Sequence, residues 1–460
     1  FDGHDIAAAA LAAGALAAVV RHDFDPVPPA GTRNSTPIAP DAILIRVDDT
    51  IEALGRLGRY YRREIIGGST TVVAVTGSNG KTTTKSMIAH ILNGRWRGKA
   101  SIKSFNNNIG VPLTLLSADP GESFLVCEVG MNAPGEIASL GHLIEPDVAV
   151  VTGVAEAHLE KLGSIERIAE EKLTLVTCLQ PEGCAVLNAD HEVVRRMLAR
   201  DRRFKSVKRV TFGEWAEADL RLTDVRAETA APQNTEADSG QAADTSAESH
   251  AGPHPGFSFE VNGRFRYWLP VPGRHNVFNA LAAIGVARRF GMDHDEIAAR
   301  LATFTLPSMR LEAHRAGAMT IINDAYNANP ASMAAAIGVL ADTPAPGRRV
   351  MIVGDMRELG AAAEDLHRAC AERIAAAGFD LVIAVGEHAR LVTETIAAKA
   401  TGTEVHAYAT TALCRNGLLM HLRPDDTVLV KGSRAMELEV LVEAMRTWGA
   451  EQAEPRRAAG

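Results

Sequence analysis

Cysteine is scarce in this 460-residue chain: Cys127, Cys178, Cys184, Cys370 and Cys414 are scattered, with no CxxC pair and no metal-like spacing. This excludes a disulfide framework and a thiolate metal site, and it leads us to expect a chain of a reducing compartment, the cytoplasm. Long apolar runs are missing as well. The one stretch that resembles such a run, IAAAALAAGALAAVV at residues 6–20, is mostly alanine, lacks a basic flank and follows Asp2 and Asp5. It reads as a buried helix reaching about Gly14 and then a short strand, rather than as a signal-peptide core. No other run is long enough to span a bilayer, so membrane insertion is not expected. An excess of positive charge is absent too. With 48 Lys and Arg against 56 Asp and Glu, the formal charge is -8, which argues against nucleic acid or another extended polyanion as partner. The chain begins with Phe1 rather than Met, so a natural beginning further upstream is expected.

What is present is an ordinary soluble composition, 46% hydrophobic and 23% charged, in a chain long enough for two or three domains. From Thr71 onward, short β-branched runs alternate with helical patterns, the signature of mostly parallel sheets flanked by helices. TVVAVTG (71–77), FLVCEVG (124–130) and DVAVVTGV (147–154) are the clearest strands of a first series. After Pro307 a second series runs through MTIINDAY (319–326), RVMIVGDM (349–356), DLVIAVGE (380–387) and TVLVKGSR (427–434). Between the two, residues 226–256 carry no aromatic or aliphatic β-branched side chain and are rich in Ala, Ser, Glu, Asp and Pro. Such a stretch buries too little apolar area to offset its ordering entropy, and a disordered surface insertion is expected. The two sheets show no internal sequence repeat.

The stretch TGSNGKTTT, residues 76–84, joins the first strand to a helix. Backbone amides of Gly77, Ser78, Asn79, Gly80, Lys81, Thr82 and Thr83 can point at phosphate oxygens, with the positive end of the helix behind them. Lys81 would lie against the outer phosphates and the Thr82 hydroxyl would reach Mg²⁺. The ordinary phosphate-loop pattern has a glycine five positions before Gly80, where this chain has Val75, so the loop is a shortened variant. Further polar residues fall at or after neighbouring strands, where open α/β sheets gather ligands. Glu128 ends FLVCEVG, and its carboxylate can hold Mg²⁺ directly or through water. His158, in GVAEAHLEKLG, could supply another metal ligand. FNNNIG, residues 105–110, adds an asparagine cluster that on its own reads as a turn.

The shortened loop, FNNNIGVPLTLL, CEVGMNAPGEI, AHLEKLGSIERIAEEK, PGRHNVFNALAA and INDAYNANPASM occur in order, and together they resemble the Mur ligases. The resemblance runs from DGH at 2–4 to KGSR at 431–434. It implies an α/β protein with a partial N-terminal UDP-substrate domain (1–70), a central ATP-binding parallel-sheet domain (71–306) and a C-terminal Rossmann-like domain (307–460). DAYNANPASM followed by VGDMRELG is similar to the branch that joins D-Ala-D-Ala to UDP-N-acetylmuramoyl-tripeptide in peptidoglycan precursor synthesis. The implied cofactors are ATP and two Mg²⁺ ions, and a monomer is expected. Residue by residue, the resemblance implies that Gly77 to Thr83 bind the ATP phosphates, with Lys81 on the transferred group. It implies that Thr82 and Glu128 hold one Mg²⁺ and His158 a second, and that Lys172 is carbamylated and bridges toward a metal. Asn276 and Asn279 resemble the adenine-side residues, and Arg310 and Asp324 the residues that reach phosphate and ribose from the second domain. Asn327 and Asn329 lie in the hallmark segment. The chain departs from the family at Lys172, which is followed by leucine where glycine is usual, and at Met309, where some relatives carry histidine.

These residues suit one chemistry. A carboxylate resists attack by an amine until its oxygen becomes a leaving group, and phosphoryl transfer from ATP makes it one, as an acyl phosphate. That step needs positioning and charge neutralisation more than covalent help. The intermediate needs a dry site, so closure of the two sheets about a hinge near Pro307 is expected. Other amide ligases of the superfamily, folylpolyglutamate synthetases among them, carry histidine-containing versions of DAYNANP. A phosphate-loop switch protein would read guanine through an NKxD element, which this chain lacks.

Overall fold

The computed structural model describes residues 2–26, 38–155, 162–228, 256–399 and 402–453. Among them the strands form three sheets. The smallest is a parallel pair, β1 (Ala17–Arg21) and β2 (Ile43–Val47), preceded by a helix at Ala7–Ala12. The helix and strand expected in the alanine-rich run are there, but the helix is not buried: only Ala7 is fully covered, packed on Val20 and Ile38, with Ala8 and Leu11 partly covered. The cluster has three buried side chains and a partly buried rim, too small to hide more than one side of the helix.

The chain then enters the helix Thr50–Tyr60, capped by Asp49, whose Oδ1 accepts from the Ile51 and Glu52 amides at 2.7 and 2.9 Å. A π-helical turn, Tyr61–Ile65, carries Arg62 under the central domain. The Arg62 side chain is 4% exposed, and its guanidinium donates to the carbonyls of Ile144 and Glu145 and, at 2.8 Å, to Asp147 Oδ2. Asp147 in turn receives the amide of Val72, the second residue of the first central strand. This network fixes how the amino-terminal segment meets the sheet.

The central sheet runs in the order β11-β10-β9-β8-β7-β6-β3-β5-β4. Its strands are β3 (Thr71–Thr76), β4 (Gly98–Ala100), β5 (Phe124–Glu128), β6 (Val148–Val151), β7 (Cys184–Asn188), β8 (Lys208–Gly213), β9 (Leu220–Glu228), β10 (Gly256–Val261) and β11 (Phe265–Leu269). Pairings from β4 to β9 are parallel, and β10 and β11 add antiparallel at the edge. Alternate residues of β3 serve opposite faces: Val73 and Val75 pack with helices Lys81–Leu92 and His275–Arg289, and Val72 and Ala74 with Gly110–Leu116, Glu136–Ile144 and Ile165–Leu173. Burial on both faces is why these strands read as continuous apolar runs. The insertion expected at 226–256 is shorter at both ends. Residues 226–228 belong to β9 and Gly256 opens β10, with Glu228 paired directly to Gly256, because the flanking sequence completes an antiparallel ladder. The remainder of the segment lies outside the described residues.

The third sheet has the order β12-β13-β17-β14-β15-β16, built from β12 (Glu312–Ala316), β13 (Met319–Asn323), β14 (Arg349–Gly354), β15 (Leu381–Val385), β16 (Glu404–Tyr408) and β17 (Thr427–Lys431). It is parallel except for the edge pair β12 and β13. All five cysteines are buried and free of disulfides, and burial pushes the Cys127 thiol up to about 12. No helix among the described residues is long and apolar enough to cross a membrane.

Replacing Arg62 by Leu leaves the Ile144 and Glu145 carbonyls without their donor. Because Asp147 is partly solvated, the expected loss is moderate, roughly 1–3 kcal/mol of unfolding free energy, read by denaturant titration.

Candidate active site

The loop between β3 and the helix Lys81–Leu92 is shaped by two glycines with positive φ, Gly77 at 152° and Gly80 at 80°. A Cβ on Gly80 would stand 2.2 Å from Asn279 Oδ1, and one on Gly77 would stand 1.9 Å from Thr152 Oγ1. Side chains behind the loop therefore demand glycine at both places. The Thr152 hydroxyl donates to the Asn79 carbonyl at 2.5 Å, and Ser78 is held by the Gly153 carbonyl and by reciprocal bonds with Ala155. With the loop fixed from behind, Gly80, Lys81 and Thr83 line an open cleft, and the amides of the first helical turn have no intrahelical acceptor. Lys81 Nζ donates to the Gly77 carbonyl at 2.9 Å. Burial lowers its pKa, Glu128 opposes that shift and Arg310 adds to it.

Beside the loop, Glu128 at the end of β5 is 1% exposed. Its Oε2 accepts from Thr82 Oγ1 at 2.8 Å and lies 3.3 Å from Lys85 Nζ, and its Oε1 accepts from Asn106 Nδ2 at 3.0 Å. Thr82 Oγ1 also receives Arg310 Nη2 at 2.8 Å. A hydroxyl and a carboxylate thus converge with cations on either side. They are hard oxygen donors of the type that suits Mg²⁺.

Lys172, on the helix Ile165–Leu173, is 1% exposed, and its side chain makes no hydrogen bond or ion pair among the described residues. Burial first, and then the charge of Lys81, hold its pKa down at about 7 against the pull of Glu171. The Glu171 carboxylate is directed elsewhere, accepting from the amides of Gly135 and Ile137 at the start of the helix Glu136–Ile144. His158 lies outside the described residues.

The opposite wall comes from the third sheet. Arg310 sits between Met309 and Leu311, both left-handed at φ 60° and 54°, and its guanidinium lies 4.3 Å from the Tyr326 ring. Asp324 follows β13; its Oδ2 accepts from Lys431 Nζ at 2.6 Å and its Oδ1 from the Leu311 amide at 3.3 Å. Lys431 also donates to the Asn327 carbonyl at 2.9 Å. Asn329 caps the helix Pro330–Asp342 through a capping box with Ser332, and its Nδ2 reaches across to Asn79 Oδ1 at 2.7 Å. Asn276 and Asn279 are buried in the cleft wall with their amides engaged, Asn276 on the Pro272 carbonyl and Asn279 on Asn276 and Thr84. Phosphate loop, strand ends and second domain thus enclose one cleft of about 820 Å³.

Residues 75–287 match the Mur ligase middle domain, and residues 309–434 match the Mur ligase, glutamate ligase domain. The chain is 33% identical over 445 residues to UDP-N-acetylmuramoyl-tripeptide--D-alanyl-D-alanine ligase of Bacillus subtilis (strain 168), covering 96% of this chain and 87% of that one. It is 34% identical over 454 residues to the ligase of the same name from Escherichia coli (strain K12), covering 98% and 89%. The chain belongs to the Mur ligase family. Among solved structures it is similar to MurF from Acinetobacter baumannii (TM-score 0.78, 28% identity, 97% of this chain and 88% of that chain). It is also similar to the MurF ligase from Thermotoga maritima in complex with ADP (TM-score 0.76, 26% identity, 98% and 93%).

In this Mur ligase Ser78 to Lys81, Thr83, Glu128, Arg310 and Asp324 line one cleft, with Thr82 bonded to Glu128 and Arg310, Asn276 and Asn279 in the wall, and Lys172 buried within reach of the Lys81 charge. Sequence reasoning missed Lys85 and Thr152, took Lys431 only as part of the KGSR strand end, and took Asn106 for part of a turn. Lys85 sits four residues after Lys81 on the same helical face, a spacing that could have flagged it.

Lys172 gives a test with a definite sign. Its pKa falls from 10.5 in the unfolded chain to about 7 when folded. Folding therefore releases a proton between those values, and the resulting destabilisation is full below about 7 and fades as pH rises toward 10.5. In bicarbonate-free buffer Lys172→Met should raise the melting temperature most at the acidic end and hardly at all at the alkaline end. An equal effect at both ends would mean that Lys172 is not a desolvated amine.

Proposed function

We propose that this chain is the ATP-dependent ligase that joins D-Ala-D-Ala to UDP-N-acetylmuramoyl-tripeptide through an acyl phosphate. The observation that carries the reading is one cleft lined by Lys81 of the phosphate loop and by Arg310, Asp324 and Asn329 of the second domain, with Arg310 bonded to Thr82 and Asn329 to Asn79. Similarity along nearly the whole chain to ligases of that name supports the substrates.

In this reading the loop amides and Lys81 hold the γ-phosphoryl group in line with the tripeptide carboxylate, and Arg310 adds charge from the other side. The lowered pKa of Lys81 reflects a cation short of solvent, so a phosphate charge beside it is strongly stabilising. Attack of the carboxylate oxygen on the γ-phosphorus releases ADP and forms the acyl phosphate. Attack of the neutral amine on the acyl carbon then gives a tetrahedral centre whose oxyanion meets the same cations, and phosphate departs. Thr82 and Glu128 would hold Mg²⁺, which when bound offsets negative charge on the transferring group. His158 is proposed as a ligand for a second ion.

Lys172 fits carbamylation. A buried lysine titrating near 7 presents neutral Nζ at physiological pH. Attack of that nitrogen on CO₂ forms an N–C bond, releases a proton and replaces a buried neutral amine by an anion within the field of the Lys81 charge.

Phosphate release in the presence of ATP and UDP-muramoyl-tripeptide should be stimulated by D-Ala-D-Ala and not by single amino acids; the reverse pattern would sink the substrate assignment. Lys81→Ala should cut turnover roughly 100- to 1,000-fold while leaving the melting curve in place.

A further inference from the structure

A second network of buried polar groups stands at the strand ends of the third sheet. Asp355, directly after β14, is 2% exposed. The amides of Glu387 and His388, just beyond β15, donate to its two carboxylate oxygens at 2.8 and 3.1 Å, and its carbonyl accepts the Ser433 amide at 3.0 Å. His367, on the helix Ala363–Ala377, is also 2% exposed and stacks on His388 at 4.0 Å. His367 Nε2 accepts the Met356 amide at 2.9 Å, and Nδ1 lies 2.7 Å from the Ala363 carbonyl. Both ring nitrogens are therefore engaged: Nδ1 carries the proton, and the neutral ring is an orienting group rather than an open metal ligand.

The product of this network is a fixed turn. Met356 is tied to His367, the Arg357 amide donates to Ser433 Oγ at 2.9 Å, and Glu358 and Gly360 close the turn at φ 63° and 55°. The turn carries Arg357 to the cleft, where it lines the wall with Leu359 and Ser433. The other lysine and arginine side chains of the cleft are already hydrogen-bonded to oxygen. Lys81 bonds Gly77, Arg310 bonds Thr82, Lys431 bonds Asp324 and Arg434 bonds Glu439. The Arg357 guanidinium is half exposed, stands 3.7 Å from both Asp355 and Glu387, and makes no hydrogen bond to oxygen among the described residues. A planar guanidinium held in this way is suited to a carboxylate.

We infer that Asp355 and His367 are positioning residues that hold Arg357 out into the cleft to receive the free carboxylate of the incoming amine. This rests on the ligase reading above. A dipeptide entering to attack an acyl phosphate carries one other charged group, its terminal carboxylate. Fixing that end places the amine at the other, so the clamp selects for a free acid and sets the reach of the nucleophile.

The test compares kcat/KM for D-Ala-D-Ala and for its C-terminal amide, by phosphate release at saturating ATP. The wild-type protein should prefer the acid by roughly ten- to a hundredfold, the range of a hydrogen bond to a charged group. Arg357→Ala should erase that preference, mainly through KM for the dipeptide. His367→Leu, which strands the Met356 amide, should weaken it. His367→Gln, whose amide can still accept from Met356 and donate to Ala363, should restore most of it. KM for ATP should stay within about twofold throughout. An undiminished acid preference in Arg357→Ala overturns the inference, as does a His367→Leu variant in which KM for ATP and for dipeptide rise together. Arg357 is a surface side chain, so its arm decides the matter even if His367→Leu does not fold. If the wild-type protein shows no stimulation by D-Ala-D-Ala, the ligase reading itself fails and takes the clamp with it.

Discussion

A carboxylate with almost no access to water, Glu128, organises the cleft. A buried anion is tolerable only when compensated, and here compensation is drawn from several elements: Lys85 and Thr82 from the phosphate-loop helix, Asn106 from the asparagine cluster, and through Thr82 the guanidinium of Arg310 in the other domain. Each partner is thereby fixed in direction as well as place. The result is a strand end where oxygen donors and positive charge alternate at hydrogen-bond distance, and the nearby amines of Lys81 and Lys172 are both depressed by burial. The groups on which the chemistry would depend are thus held in place by their mutual charge compensation.

The same residues tie the domains together. Arg310 reaches Thr82, and Asn329 reaches Asn79, so the second domain contacts the phosphate loop through side chains of the loop itself. Arg310 is delivered by a backbone that turns left-handed on both sides of it, at Met309 and Leu311, conformations that nonglycine residues adopt at a cost of about 1–3 kcal/mol each when bulky. Such a cost is sustained only where the surroundings hold the bend, here through Glu312 on the Met309 amide and Asp324 on the Leu311 amide.

Much of this is legible in the sequence. Strands buried on both faces, such as β3 and β5, announce themselves as apolar runs, and two glycines before Lys81-Thr82 announce a tight bend into a helix. Asp324 and Arg310 were legible through the Mur ligase resemblance. Less visible were groups whose importance comes from where the fold brings them. Lys431 reads as the end of a strand until it meets Asp324, Thr152 reads as a strand-end threonine until it underpins Asn79, and Asn106 reads as a turn until it reaches Glu128. Composition also overstated the burial of the alanine-rich helix, because a one-methyl side chain is compatible with either environment. The ends of the polar stretch at 226–256 escaped for a related reason: strand pairing at Arg226 to Glu228 is imposed by β10, not by local propensity.

The ladder between β9 and β10 has a consequence for how this protein tolerates change. Glu228 and Gly256 stand opposite each other in register, so whatever joins them leaves and re-enters the sheet at neighbouring points. The entropy of closing such a connection rises only by about 0.6 kcal/mol for each doubling of its length. That corner of the central sheet is therefore a natural insertion port, where peptides of very different length can be spliced in while the cleft keeps its geometry.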